Sequence, residues 1–107
     1  MQVGVEKIDT YKGVFVKALL NSGATGLFVD KKFVEKWGFK KEKLTRPIQI
    51  KNMDRTDNSR RMVMYKIGCN LYYKGHVEQV KIDVCDLERM EMILGMPWLV
   101  AYNPKID

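Results

Sequence analysis

The chain has 107 residues, 46% of them hydrophobic and 30% charged, with a formal net charge of +6 at pH 7. That length gives one domain, residues 1–107, with a modest core, and the composition excludes a disordered tail. No apolar run approaches the roughly 20 residues that a membrane-spanning helix needs.

The first residues, Met1 to Val5, have neither a basic lead nor a long apolar stretch, so no secretory signal is expected and the expected setting is cytoplasmic. Val3, Val5 and Ile8 suggest a first strand, Asp9 to Gly13 a turn, and Val14 to Leu20 a second strand rich in β-formers. This hairpin runs directly into Asn21-Ser22-Gly23-Ala24-Thr25-Gly26, whose small residues suit a tight loop. After Leu27-Phe28-Val29, Asp30 is placed to cap a helix of about two turns. Phe33, Val34 and Trp37 would share one face of it, and Gly38 would supply the left-handed stop.

Pro47 opens another extended stretch, Ile48-Gln49-Ile50, which is followed by the polar segment Lys51 to Arg61 and by Met62-Val63-Met64. The expectation is a long hairpin with an exposed tip. Tyr65, Ile67, Cys69, Leu71 and Tyr73 alternate, Lys74-Gly75 turns, and Val80, Ile82 and Val84 alternate on the return, giving a second hairpin. Met92-Ile93-Leu94 is a compact apolar run closed by Gly95. Met96 to Tyr102 reads as a short helix with Pro97 in its first turn, broken at Asn103-Pro104. Period two dominates, so the fold class is mainly β with one or two short helices.

Two cysteines, Cys69 and Cys85, are too few for a disulfide framework and lack metal-ligand spacing, so they read as buried small hydrophobes. His76 is the only histidine and has no partner for a metal site or a Ser/His/Asp triad. No metal or cofactor is expected. The seven methionines read as adaptable core or pocket lining. Much of the positive excess lies between Lys31 and Lys43, interrupted by Glu35 and Glu42 and without interleaved aromatics that look exposed. This reads as a solvated basic face, with a basic β module binding RNA as the lesser alternative.

Two segments, Leu19-Leu20-Asn21-Ser22-Gly23-Ala24-Thr25 and Ile93-Leu94-Gly95-Met96-Pro97-Trp98-Leu99, together resemble the retropepsin-like aspartic protease domain of long-terminal-repeat retrotransposons. The closing Tyr102-Asn103-Pro104-Lys105-Ile106-Asp107 is similar to the end of the Gypsy-type domain. Asp-Ser-Gly recurs by chance, but paired with a second segment about 70 positions downstream the signal becomes specific. The resemblance spans nearly the whole chain and implies an acid-protease barrel assembled as a homodimer. Without a metal, peptide hydrolysis needs one carboxylate to activate water while another, protonated, polarises the scissile carbonyl; two acids held close share one proton. A chain with a single such motif needs a symmetry mate.

The resemblance also assigns roles. Position 21 would be the catalytic one, Ser22 would bond across the twofold axis, Gly23 would offer its carbonyl to bound peptide, and Ala24 and Thr25 would line the substrate site. Asn52, Met53, Asp54 and Arg55 fall at the flap tip, which here has no glycine where related tips carry one. Ile93, Leu94 and Gly95 would pass beneath the catalytic loop, with Ile93 both core and substrate contact. The substrate would be an extended peptide within a retroelement polyprotein, cleaved in the cytoplasm or within retroelement particles.

The departure is Asn21, since a carboxamide matches a carboxylate in shape but accepts no proton from water. Two origins fit: an Asp-to-Asn change silencing an otherwise intact pattern, which the surrounding residues favour, or a domesticated, non-catalytic peptide-binding dimer.

Overall fold

The computed structural model describes residues 1–21, 26–49 and 62–95. They form seven strands and one helix: β1 (Gln2–Lys7), β2 (Gly13–Leu20), β3 (Leu27–Asp30), α1 (Lys31–Trp37), β4 (Lys41–Gln49), β5 (Met62–Tyr73), β6 (His76–Cys85) and β7 (Met92–Leu94). The order in the sheet is β1-β2-β7-β3-β6-β5-β4. A further pairing of β1 with β5, from Gly4 opposite Tyr72 to Lys7 opposite Cys69, closes six of these strands into a barrel. β4 continues from the other half of β5. The mainly β class with a short helix is what the residue pattern implied, and the barrel is what the resemblance implied.

Alternation fills the barrel. Val3 and Val5 on β1, Val16 and Ala18 on β2, Ile67, Cys69 and Leu71 on β5, and Ile82 and Val84 on β6 all point inward and are buried. Each fully buried aliphatic side chain contributes about 1.5–3 kcal/mol. Cys69 is a free thiol in this core, and burial pushes its pKa up to about 12. Cys85 is also buried.

Asp30 caps α1 as expected, its side chain accepting from the Lys32 N–H. Gly38 sits in the left-handed region at φ 69° and ends the helix, with Gly38 N–H donating to Glu35 O and Phe39 N–H to Val34 O. Phe33 and Val34 are buried, and Trp37, 40% exposed, packs its ring 6.4 Å from that of Phe33, as expected of residues on one face. Phe39, which follows the left-handed turn, stacks its ring on Phe33 at 5.8 Å and adds a third ring to the cluster.

Other boundaries differ from the sequence reading. β1 ends at Lys7, leaving Ile8 in the turn. β4 begins at Lys41, six residues before Pro47, because an exposed strand on one edge tolerates charged residues; Pro47 sits in the irregularity between Lys43 and Ile48 where the register shifts. Met62 to Tyr73 is one strand, since β5 pairs continuously with β4, β1 and β6. Tyr65 breaks the inward alternation at 36% exposure, with the Lys41 ammonium 5.0 Å from its ring centroid. Met62, Met64 and Met90 are also exposed rather than core, leaving Met92 as the fully buried methionine of the described residues. His76 is exposed at the start of β6. The helix expected at 96–102 and the hairpin tip at 51–61 lie outside the described residues. Among the described residues no helix is long and apolar enough to cross a membrane.

Candidate active site

β7 is three residues long, buried throughout, and lies between two strands of opposite direction. It runs parallel to β2, with Leu20 opposite Leu94, and antiparallel to β3, with Leu27 opposite the same Leu94. A short run apolar on both faces is what such a central position requires. The chain leaves β2 at Asn21 and returns at Leu27, so both feet of the intervening loop rest on one residue. Asn21 adds a further tie, its backbone N–H donating to Leu94 O at 3.0 Å. The main chain thereby fixes where the residue-21 side chain leaves the barrel, at its half-buried rim.

Period two splits β7 between two cores. Met92 and Leu94 point into the barrel, while Ile93 faces the other way and packs with Phe28, Val63, Cys85 and Leu87. The register extends this outer layer into a row across the sheet: Leu19 beside Ile93, Ile93 beside Phe28, Phe28 beside Asp83, and Asp83 beside Lys66. At one end Leu19, 41% exposed, opens onto a cleft of about 570 Å³ bordered by Lys17, Arg89, Met90 and Glu91. At the other end, burial raises the pKa of the Asp83 carboxyl, partly offset by the Lys66 ammonium.

The 86–91 segment that borders the cleft is held by Asp30. One carboxylate oxygen of this buried side chain accepts from Lys32 N at 3.1 Å, and the other accepts from Leu87 N at 2.9 Å. Asp30 N donates to Glu91 O at 2.9 Å, and Glu91 Oε1 accepts from Lys17 N at 3.1 Å. With both oxygens engaged, Asp30 positions backbone rather than standing ready for proton transfer.

Of the residues given roles by the resemblance, Asn21, Ile93, Leu94 and Gly95 are described; Asn21 directly follows β2, and Ile93 and Leu94 lie in the neighbouring β7. Ile93 is 4% exposed and forms part of the outer core. Ser22, Gly23, Ala24 and Thr25, together with Asn52, Met53, Asp54 and Arg55, lie outside the described residues. Sequence reasoning missed Leu19, Arg89 and Glu91 as cleft residues, and the Asp30–Leu87 bond, whereas Met90 lines the cleft in keeping with the pocket-lining reading of the methionines. Period-two alternation of β2 marks Leu19 as facing away from Ala18 and so could have found it; contacts between residues 57 or 74 positions apart leave no local signal.

The family model for the PEG10/RTL1 protease domain matches residues 17–107. Among solved structures, the fold is similar to the retroviral protease-like domain of Ddi1 from Leishmania major, with a TM-score of 0.63 at 19% identity, covering 100% of this chain and 80% of that one. It is also similar to EIAV protease complexed with the inhibitor HBY-793, with a TM-score of 0.62 at 17% identity, covering 100% of this chain and 89% of that one.

Proposed function

This chain belongs to the PEG10/RTL1 protease domain family, and on that premise we propose that it is one half of a homodimeric aspartic endopeptidase, silenced by an amide at position 21. The observation that carries this reading is the seating of Asn21: the residue that directly follows β2 is tied by its own N–H to Leu94, between two strands that both pair with β7. A side chain so rooted is held by backbone geometry, which a catalytic dyad requires of each member.

In the dimer, the two residue-21 side chains face each other across the twofold axis on the floor of a shared cleft. With aspartate there, one carboxyl keeps its proton and polarises the scissile carbonyl while the other takes a proton from water. With asparagine there, neither side chain can take that proton, and the groove holds a peptide without cutting it. Ser22 and Gly23 contribute the cross-axis and peptide-carbonyl bonds. Ala24, Thr25 and Ile93 shape the floor, and Asn52 to Arg55 close over an extended peptide of about six to eight residues docked by strand addition. Leu19 and the cleft beside Arg89 and Met90 supply side-chain space at one end of the groove. The substrate is a retroelement-type polyprotein, processed in the cytoplasm or within particles.

The test compares the parent chain with Asn21→Asp on a peptide library, alongside sedimentation at micromolar concentration. The expected result is a dimer in both, with cleavage rising by about 10²-fold or more on substitution and abolished by pepstatin. A monomer in both would refute the proposal. Asn21 itself favours a second reading, a domesticated dimer that binds peptide without cutting it; continued silence of a dimeric Asn21→Asp chain that still binds peptides would establish it.

A further inference from the structure

Two further clefts, of about 250 Å³ and about 370 Å³, share Lys7 and Phe39. None of the residues bordering them comes from 19–21, 26–28 or 92–95. Phe39 is buried and forms the floor. The walls carry Lys12 from the β1–β2 turn, Lys40 after the helix, and the 40%-exposed Trp37 at the end of α1. The Lys7 ammonium stands 5.8 Å from the Phe39 ring centroid, and Lys36 brings its ammonium to 5.5 Å from the Trp37 ring centroid.

The acids on this flank are largely committed. Glu42 is bonded to Lys81 at 2.6 Å, which holds its carboxyl below the usual range, and Glu35 lies 3.8 Å from Lys41. Asp9 at the end of the first cleft is the remaining carboxylate of the lining. The local charge is therefore positive, and it surrounds an accessible indole. Trp37 keeps its contact with Phe33 at 6.4 Å while remaining 40% exposed.

We propose that this groove binds single-stranded nucleic acid, with phosphates on Lys7, Lys12 and Lys40 and a base against Trp37. Cationic side chains tracking a backbone beside an aromatic platform are the combination that single strands need. A duplex would present phosphates but keep its base faces stacked inside, and an acidic peptide would satisfy the lysines while offering Trp37 no planar partner. The site is independent of position 21 and of any proteolysis.

Fluorescence anisotropy of the parent chain with a short fluorescein-labelled uridine oligonucleotide tests it. Binding at low salt is expected to weaken about tenfold in Trp37→Ala and to be largely kept in Trp37→Phe. In Lys12→Gln/Lys40→Gln, whose exposed side chains carry no core packing, the slope of log affinity against log salt is expected to become shallower by about 1.4, at about 0.7 per lost phosphate contact. Thermal melting confirms that each variant is folded; should Trp37→Ala unfold, the lysine pair decides. Absence of binding by the parent chain, equal binding of a duplex, heparin or a glutamate-rich peptide, or an unchanged salt slope in the lysine pair would each overturn the proposal.

Discussion

The backbone N–H of Asn21 points at the carbonyl of Leu94 and donates to it at 3.0 Å, although the two residues are far apart in sequence. Leu94 is also the partner of Leu20 and of Leu27, so one fully buried residue sets the position of the whole turn out of the barrel. Leu94→Ala keeps the backbone bond but opens a cavity beneath it. A loss of about 2–5 kcal/mol in urea unfolding is expected, with the m-value unchanged.

Asp30 links the start of α1 to the 86–91 segment. Asp30→Ala removes a helix cap, worth about 1 kcal/mol, and also leaves the buried Leu87 N–H without its acceptor, worth about 1–3 kcal/mol more. Chemical denaturation should show the sum, and amide hydrogen exchange at Leu87 should accelerate beyond what the global change predicts. Unchanged exchange at that amide would show the bond to be unimportant.

The Cys69 thiol is deep in the barrel, and burial alone raises its pKa to about 12. Alkylation depends on the thiolate. Iodoacetamide at mildly alkaline pH should therefore leave Cys69 unmodified in the native chain and label it fully in denaturant, as read by intact mass and peptide mapping.

Asp83 gives a pH signature. Its folded pKa is raised above its ordinary value of 3.8, chiefly by burial, so the folded state binds the proton more tightly than the unfolded state does. The stabilisation from that proton is fully present below 3.8 and is lost as pH rises through the folded value. Asp83→Asn lacks this loss. The stability of the variant relative to the parent should accordingly grow from acid toward neutral pH and then level off, as measured by denaturation across that range; a constant difference would contradict it.

Much of the barrel could be read from residue order. Val3/Val5, Val16/Ala18, Ile67/Cys69/Leu71 and Ile82/Val84 alternate because a strand with one wet and one dry face imposes that period on its residues. The Asp30 and Gly38 helix boundaries were legible because capping and left-handed stops act within a few residues. β4 was not: its charged residues from Lys41 onward become a strand only because β5 offers an edge to pair with. The Phe33–Trp37 pair was legible from its helical spacing, whereas the stacking of Phe39 on Phe33 appears only in the packed chain.

The amino-acid order by itself determined the chemistry available: an amide at position 21, a single motif copy per chain, and alternating segments suited to a barrel. Only the tertiary structure decided that Leu94 joins β2 to β3 beneath the loop, that Asp30 holds Leu87, and that lysines from the turn, the strand and the helix end gather around an exposed indole. The division has a physical cause. Local preferences act over a few residues and are written in the order of the chain, whereas contacts across more than 50 positions exist only once burial of the shared core outweighs the entropy of bringing those segments together.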